Sequence, residues 1–484
     1  MTTTFASVSF VASGGFIIAT VLSTVLAATI KLMGFSLGWF HSSINPPGLA
    51  SVSTVEAQPF LAVEPPAPLP LVPPGPGANV PVKPFIIVVK TDQTKDAEGS
   101  RKRMRPSDSN QFTLPLSPHY AYDFTINWGD GTTEVMSRAE GGRKNGDLLI
   151  THTYAQEGKY TIQITENVLG GFPALYFNDE GDASKLQEIS QWGGGTWRSM
   201  TLAFQGCENL SITATDAATA LTGNVSSFRF AWEGCTSLTY FPLLNTAAGT
   251  DFTGAWFRCA GLTNFPLLNT AAGTDFGWAW NGCTGLTNFP LLNTSAGKIF
   301  YGAWGGCSGL TIFPLLNTSA GTSFNGAWDG CSGLTSFPLL STAAGTDFDS
   351  AWSECSGLTS FPWLDTSGGK KFNYAWSGCR GLTSFPLLNF GNMEQAKGCF
   401  AEVTLTSASY GELLVNIAAL NKTGGGVTFD GGNSNASDQN GIQAREKLIK
   451  EQGWTIVDGE QLKAALQLQL QLQPQPQPEA ANEF

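Results

Sequence analysis

Between residues 200 and 400 the apolar positions follow neither the alternation of a half-buried strand nor the period of about 3.6 that marks a helix. They recur every 24 residues. Trp232, Trp256, Trp280, Trp304, Trp328, Trp352 and Trp376 share one phase, and a Cys follows each of them by three positions. A Leu stands three residues after each Cys, from Leu238 to Leu382, and a Phe-Pro pair comes next, from Phe241 and Pro242 to Phe385 and Pro386. A Phe four residues ahead of each Trp, from Phe228 to Phe372, completes the consensus FxxAWxxCxxLTxFPLLNTxxGxxF.

A constant period of about 20 to 29 residues with Leu and Cys in phase is the signature of a leucine-rich-type solenoid, one coil per repeat. Every coil contains a Pro and at least one Gly, which argues against paired helices. The LTxFPLL segment is predicted to supply the short strand that stacks on its neighbours, and Gly249, Gly273, Gly297, Gly321 and Gly345 to mark a corner. One coil buries too little to offset the ordering of its own backbone, so stability has to come from stacking. Nine coils at about 4.8 Å each predict a rod of roughly 40 Å.

The nine cysteines fall at six consecutive intervals of 24, flanked by one of 28 and one of 20. Equivalent side chains on stacked coils point in parallel, which does not suit pairwise disulfides, and no CxxC occurs to suggest zinc. Buried, reduced thiols are the expectation. The array departs from its consensus at both ends, with Phe204 and Ala396 where Trp is expected, as capping coils should. After it, Tyr410 to Leu420 and Ala444 to Gln452 read as helices, and Gly426 to Phe429 and Trp454 to Val457 as strands. Together these make a small α/β cap.

Ahead of the array, Phe85 to Val89, Tyr122 to Asn127 and Tyr160 to Thr165 read as strands of a β-sandwich. WGDG at 128–131 offers a tight hairpin turn, and HxYxxxGxY runs from His152 to Tyr160. Asp130 in that turn reads as structural rather than as a metal ligand or a catalytic acid. Residues 45–83 are rich in Pro, Ala and Val and favour an extended, semi-rigid stalk. Residues 5–30 carry no charge and are long enough to cross a bilayer, so membrane anchorage or targeting is the expectation there. A cleaved signal with Val25 and Ala27 before its cut, a buried helix and a virion-docking segment are the alternatives. Beyond residue 460, LQLQLQLQPQPQP is a low-complexity tail.

The organisation is therefore 1–44 apolar segment, 45–83 stalk, 84–168 β-sandwich, 169–401 solenoid, 402–460 cap and 461–484 tail. The fold class is mainly β: a leucine-rich-type solenoid of 24-residue coils preceded by a β-sandwich domain and followed by the α/β cap.

With 38 acidic against 26 basic residues, the chain lacks the concentrated basic face that nucleic acid requires. Arg101, Lys102, Arg103 and Arg105 form a short basic run that reads as an exposed loop. Only His41, His119 and His152 occur, and there is no nucleophile elbow, zinc motif or phosphate loop. No enzyme and no cofactor are expected.

The WGDG turn with HxYxxxGxY resembles a PKD-like, immunoglobulin-type domain. The CxxLTxFP repeat, with the closing ASYGELL at 408–414 and GWTIVDG at 453–459, resembles the BspA-like leucine-rich-repeat surface proteins, in the form with a PKD-like domain before the array. The resemblance spans most of residues 83–460 and implies a cell-surface, extracellular or virion-surface protein of a bacterium, a protist or a virus, with adhesion or host contact as its role. A protein or glycan on a cell or host surface is the implied partner. Positions that vary between coils while the core repeats are where such a partner would bind, and Phe257, Trp278, Tyr301 and Tyr374 are the candidates. A structural spacer or virion decoration without a ligand is the competing reading.

Overall fold

The computed structural model describes residues 83–94, 105–138, 148–220, 225–421 and 425–459, all within one compact unit, Asn79–Phe484. The apolar segment 5–30, the Pro-rich stretch up to residue 82, Arg101 to Arg103 and the tail 461–484 lie outside the described residues. What is described is mostly non-helical and built on β-sheets.

Strands β1 (Phe85–Lys90), β2 (Gln111–Leu116), β3 (Tyr122–Asn127), β4 (Thr133–Arg138), β5 (Leu148–Thr153) and β6 (Lys159–Glu166) open the fold. Two more, β7 (Leu186–Gln191) and β8 (Ser211–Ile212), join β1, β3, β4 and β6 in one sheet of order β4-β3-β6-β1-β7-β8, while β2 and β5 pair separately. Alternation explains the first sheet: Tyr122, Phe124 and Ile126 of β3 are buried and the residues between them are not. Phe112 and Leu114 of β2 enter the same core as Ile162 and Ile164 of β6.

The boundary expected at residues 168 and 169 is no break in the structure. β7 pairs antiparallel with β1 and parallel with β8, so the six-stranded sheet runs on into the start of the array. A buried ion pair ties the same joint. Lys185 Nζ lies 3.1 Å from Asp182 and donates to the carbonyls of Ser107, Asp108 and Gln111. Asp182 in turn accepts from the Thr113 amide at 2.6 Å. Burial holds the Lys185 ammonium below its usual range, and Asp182 opposes that shift.

From Ser227 to Lys371 successive 24-residue units pair in parallel through one residue each, the residue just ahead of the repeat Phe. The ladder is not where LTxFPLL was expected to place it. Phe228, Phe230, Trp232 and Gly234 donate their amides to the carbonyls of Asp251, Thr253, Ala255 and Phe257, all at 2.8 Å. Between LTxFPLL segments the amide bonds run only from Thr to Thr, at 3.3–3.5 Å. The reason is Pro: it brings no amide proton to that segment, and Leu268 turns its own amide back to Pro266. Gly273, expected at a corner, closes a turn onto Thr270, and a Cβ there would come within 2.5 Å of the Phe276 ring.

Side chains stack in the same register. The Trp rings from Trp232 to Trp376 lie nearly parallel, 5.2–5.8 Å apart, and all are buried. The Phe of each Phe-Pro pair stands edge-on to its own unit's Trp at 4.8–4.9 Å. The indole N–H groups of these seven Trp residues find no hydrogen-bond partner, so ring contact holds the column. Each Cys from Cys235 to Cys379 points its thiol at a carbonyl of the preceding unit, 3.0–3.3 Å away. All nine cysteines are buried, and their thiols are not joined in disulfides.

The last unit corrects one expectation. Phe400, not Ala396, takes the Trp phase, stacking on Trp376 at 5.3 Å, while Cys399 accepts the Trp376 amide as Ala375 accepts that of Trp352. Cys399 therefore stands in the Ala column, which is why its interval is 20. The cap follows: α1 (Ser407–Leu420), β9 (Thr428–Asp430), α2 (Gln439–Lys450) and β10 (Thr455–Val457). Phe400 donates to the Asp430 carbonyl at 3.0 Å, so β9 serves as the next rung and covers the open edge. The two closing motifs meet inside the cap. The Tyr410 hydroxyl donates to Asp458 at 3.1 Å, and Arg445 holds Asp458 by two bonds, at 2.7 and 3.0 Å.

Among the first six strands the WGDG and HxYxxxGxY motifs also converge. His152 stacks on Trp128 at 4.8 Å and bonds Asp130 at 2.8 Å, and the Tyr154 hydroxyl donates to the Trp128 carbonyl at 3.1 Å. Burial pushes the Asp130 carboxyl up, but hydrogen bonds from Thr132 and His152 outweigh it and hold the group down to about 2.

Two measurements follow from these contacts. Burial pushes the Cys235 to Cys355 thiols well above their usual range, and the thiolate is the reactive form. Titration with a thiol reagent should thus find negligible reaction in the native chain and all nine thiols after unfolding without reductant; disulfides detected by mass spectrometry would contradict this packing. For Asp130 the folded value lies below the ordinary 3.8, so its contribution is complete above about pH 4 and lost as pH falls through about 2. Asp130→Asn should therefore lower the urea midpoint at neutral pH, with the gap from the parent chain closing as the pH approaches 2.

Candidate functional site

The variable positions lie on the ladder segment itself. Two residues after the repeat Phe, every unit turns through a left-handed backbone: Phe230, Gly254, Trp278, Gly302, Gly326, Ser350, Tyr374 and Gly398 have φ between 51° and 65°. Glycine adopts that conformation at no steric cost, whereas a bulky residue is strained in it. The aromatic members each lie over a glycine of the next unit. A Cβ on Gly254, Gly302 or Gly398 would come within 2.1–2.4 Å of the rings of Phe230, Trp278 or Tyr374. Each aromatic ring in the column is thus followed by a glycine in the next unit, because the ring needs that space beside it.

Trp278 and Tyr301 are brought together. The Trp278 amide donates to the Tyr301 carbonyl at 2.7 Å, and the two rings meet edge to face, 4.9 Å apart at 82°. Both stay open to solvent, Trp278 at 39% and Tyr301 at 40%, and the neighbouring Ile299 is exposed to the same degree, 39%. Asn281 braces the base of the pair by donating to the Gly302 carbonyl at 3.0 Å. Phe257 does not join them: it is half-buried beneath the Arg258 guanidinium, 4.8 Å from its ring. Tyr374 shares the column of Trp278 but stands four units further on, roughly 20 Å away at about 4.8 Å per unit. The four candidates therefore form one pair and two separate positions.

Phe230 and Ile299 escaped the sequence reading. The signal for Phe230 was present, since it alternates with Gly254 and Trp278 at one phase, but its ring lies under Arg229 at 4.9 Å. Ile299 replaces the Asp that stands at 251 and 275, a departure that reads as neutral until its exposure is seen.

A second surface also went unread. The first Leu of each PLL triplet forms a column, Leu243, Leu267, Leu291, Leu315, Leu339, Trp363 and Leu387, between 46% and 63% exposed. At its end a groove of about 590 Å³ opens between Leu387 and the α1 residues Ala408, Val415 and Ala419, with Glu412 and Asp438 beside it.

Among the described residues no group of His, Cys, Asp and Glu is placed to hold a metal ion, and no helix is long and apolar enough to cross a membrane. His152 uses the same Nε2 toward Asp130 and toward the Thr132 hydroxyl, at 2.8 and 3.5 Å, an arrangement that orients the turn rather than relaying a proton. Compared with protein-family models, curated proteins and solved structures, the chain matches none.

The two kinds of position should separate in stability. Leu310→Asp places an unpaired charge at a fully buried rung and should cost at least about 4 kcal/mol in thermal or urea unfolding. Trp278→Gly relieves a strained backbone and matches Gly254 and Gly302, so it should stay within about 1 kcal/mol of the parent.

Proposed function

We propose that this chain is a non-catalytic, surface-displayed repeat protein of the BspA-like leucine-rich type, whose solenoid presents a binding face to a protein or glycan on a cell or host surface. In this reading the sandwich is the PKD-like domain that carries the array, and the segments ahead of residue 83 hold it at the surface.

The observation that carries the reading is the Trp278–Tyr301 pair. An aromatic residue at Trp278 sits in a left-handed conformation where four of the eight column members are glycine, and it leaves 39% of its surface in water. Core packing does not ask for either feature, and side chains held in strained backbone cluster at binding sites. Two rings at right angles, flanked by Ile299, offer a rigid aromatic corner of the kind that anchors sugar rings or apolar side chains at low conformational cost. A spacer without a ligand accounts for the stacked core but leaves this corner without a purpose.

The test is binding of the labelled full chain to intact cells and to immobilised glycans. Trp278→Gly combined with Tyr301→Ser should weaken attachment by tenfold or more, about 1.4 kcal/mol, with the melting curve retained. Unchanged attachment by the folded double variant would remove the corner as the binding site.

A further inference from the structure

The exposed leucine column has no counterpart among the structural reasons that explain its neighbours. In the same segments Thr270 is buried and donates to the Asn293 carbonyl at 2.7 Å, Asn269 accepts the Ala271 amide at 3.2 Å, and Phe265 packs on the Trp column. Each of those repeats because the array needs it. Leu267, by contrast, keeps 63% of its surface in water, and its equivalents recur at six of seven units with Trp363 at the seventh. A position facing solvent is free to vary, and this one stays apolar.

Charge is also missing from the face. The seven LTxFPLLNT segments, from 238–246 to 382–390, hold one charged residue, Asp365, in a chain with 38 acidic and 26 basic residues. Depletion of charge around an apolar strip flanked by neutral Thr and Asn is the composition of an interface centre.

We propose that the column is a homotypic interface, through which two copies of this chain pair about a two-fold axis. A second copy presents apolar side chains at the same spacing along its whole length, so every rung meets a partner; a foreign surface would have to match that repeat independently. An isologous contact of this kind is self-complementary, and the near absence of charge keeps like charges of two acidic copies out of the contact itself. Seven side chains exposing roughly 100 Å² each give roughly 700 Å² per copy, close to the about 800 Å² per partner of a standard interface. The pairing is independent of the attachment reading, because the column and the Trp278–Tyr301 corner lie on different segments of the repeat.

Leu315 is the middle of the seven column residues, so a two-fold axis centred on the column sets Leu315 against its own equivalent. With the native thiols buried, Leu315→Cys in the full chain adds one accessible sulfur. Mild oxidation should then give a disulfide-linked dimer. Leu243→Cys and Leu387→Cys should cross-link when mixed but not alone, and Tyr301→Cys should not cross-link. In sedimentation, the chain should be dimeric at micromolar concentration, and Leu291→Lys with Leu339→Lys should weaken the dimer by more than tenfold without lowering its melting temperature. Equal cross-linking at residues 301 and 315, or a dimer indifferent to the two lysines, would overturn the proposal. So would a monomeric parent chain whose attachment to cells falls with the lysine pair, since that result gives the face to a foreign partner. Loss of cell attachment in the Trp278 and Tyr301 variants leaves the dimer unchanged, so the two readings fail separately.

Discussion

Ring stacking at constant phase is the contact on which the rest of the array depends. A buried indole every 24 residues obliges each unit to place the same atom at the same height as its neighbour, and the near-parallel rings at 5.2–5.8 Å show the register held throughout. Once that register holds, the amides of the ladder segment fall opposite the carbonyls of the next unit and the thiols fall under theirs. The indole N–H groups go unpaired, a cost that the burial and stacking of whole rings must outweigh. Since no unit could bury its own rings alone, the stack stands or fails as neighbours.

A stack of this kind has two open ends, and each is closed by different chemistry. At the front, β7 and β8 extend the six-stranded sheet, and the buried Lys185–Asp182 pair binds the turn before β7 to β2. Breaking such a pair leaves an uncompensated charge in the interior, so it is costly to disturb even where its formation adds little. At the back, β9 supplies the last rung, and Tyr410, Arg445 and Asp458 tie the cap's helices to its final strand. Burial and the Asp458 carboxylate both push the Tyr410 phenol well above its ordinary range, which keeps it a hydrogen-bond donor.

The outer surface divides into positions that vary and positions that repeat. Along the ladder segment, residues between Phe and Trp change from unit to unit, and there the Trp278–Tyr301 corner breaks an otherwise glycine-rich column. Along LTxFPLL nothing changes except the residue before Phe-Pro and isolated exceptions such as Trp363. Variation suits recognition of one partner at one place, whereas uniformity suits a contact made along the whole array.

The sequence by itself determined the period, the identity of the core residues and the reduced state of the thiols, because a phase that repeats in one dimension needs no knowledge of the third. It also located the turn and strand motifs that meet at Trp128 and His152, and the cap motifs that meet at Tyr410 and Asp458. Which segment carries the backbone ladder was decided only in the tertiary structure, where the missing amide proton of Pro leaves LTxFPLL a poor pairing edge. The last unit needed it as well: the 24-residue register runs on unbroken, so Phe400 takes the Trp phase and Ala396 the Phe phase, and spacing from Cys399 pointed to the wrong one. So did the exposure of the PLL leucines, since a Leu beside a Leu reads as core until the fold turns one of them outward. Only the pairing of Trp278 with Tyr301, 23 residues apart, and the covering of Phe257 by Arg258 told the open aromatic corner from rings already in contact, because proximity across units is a property of the stack and not of the chain.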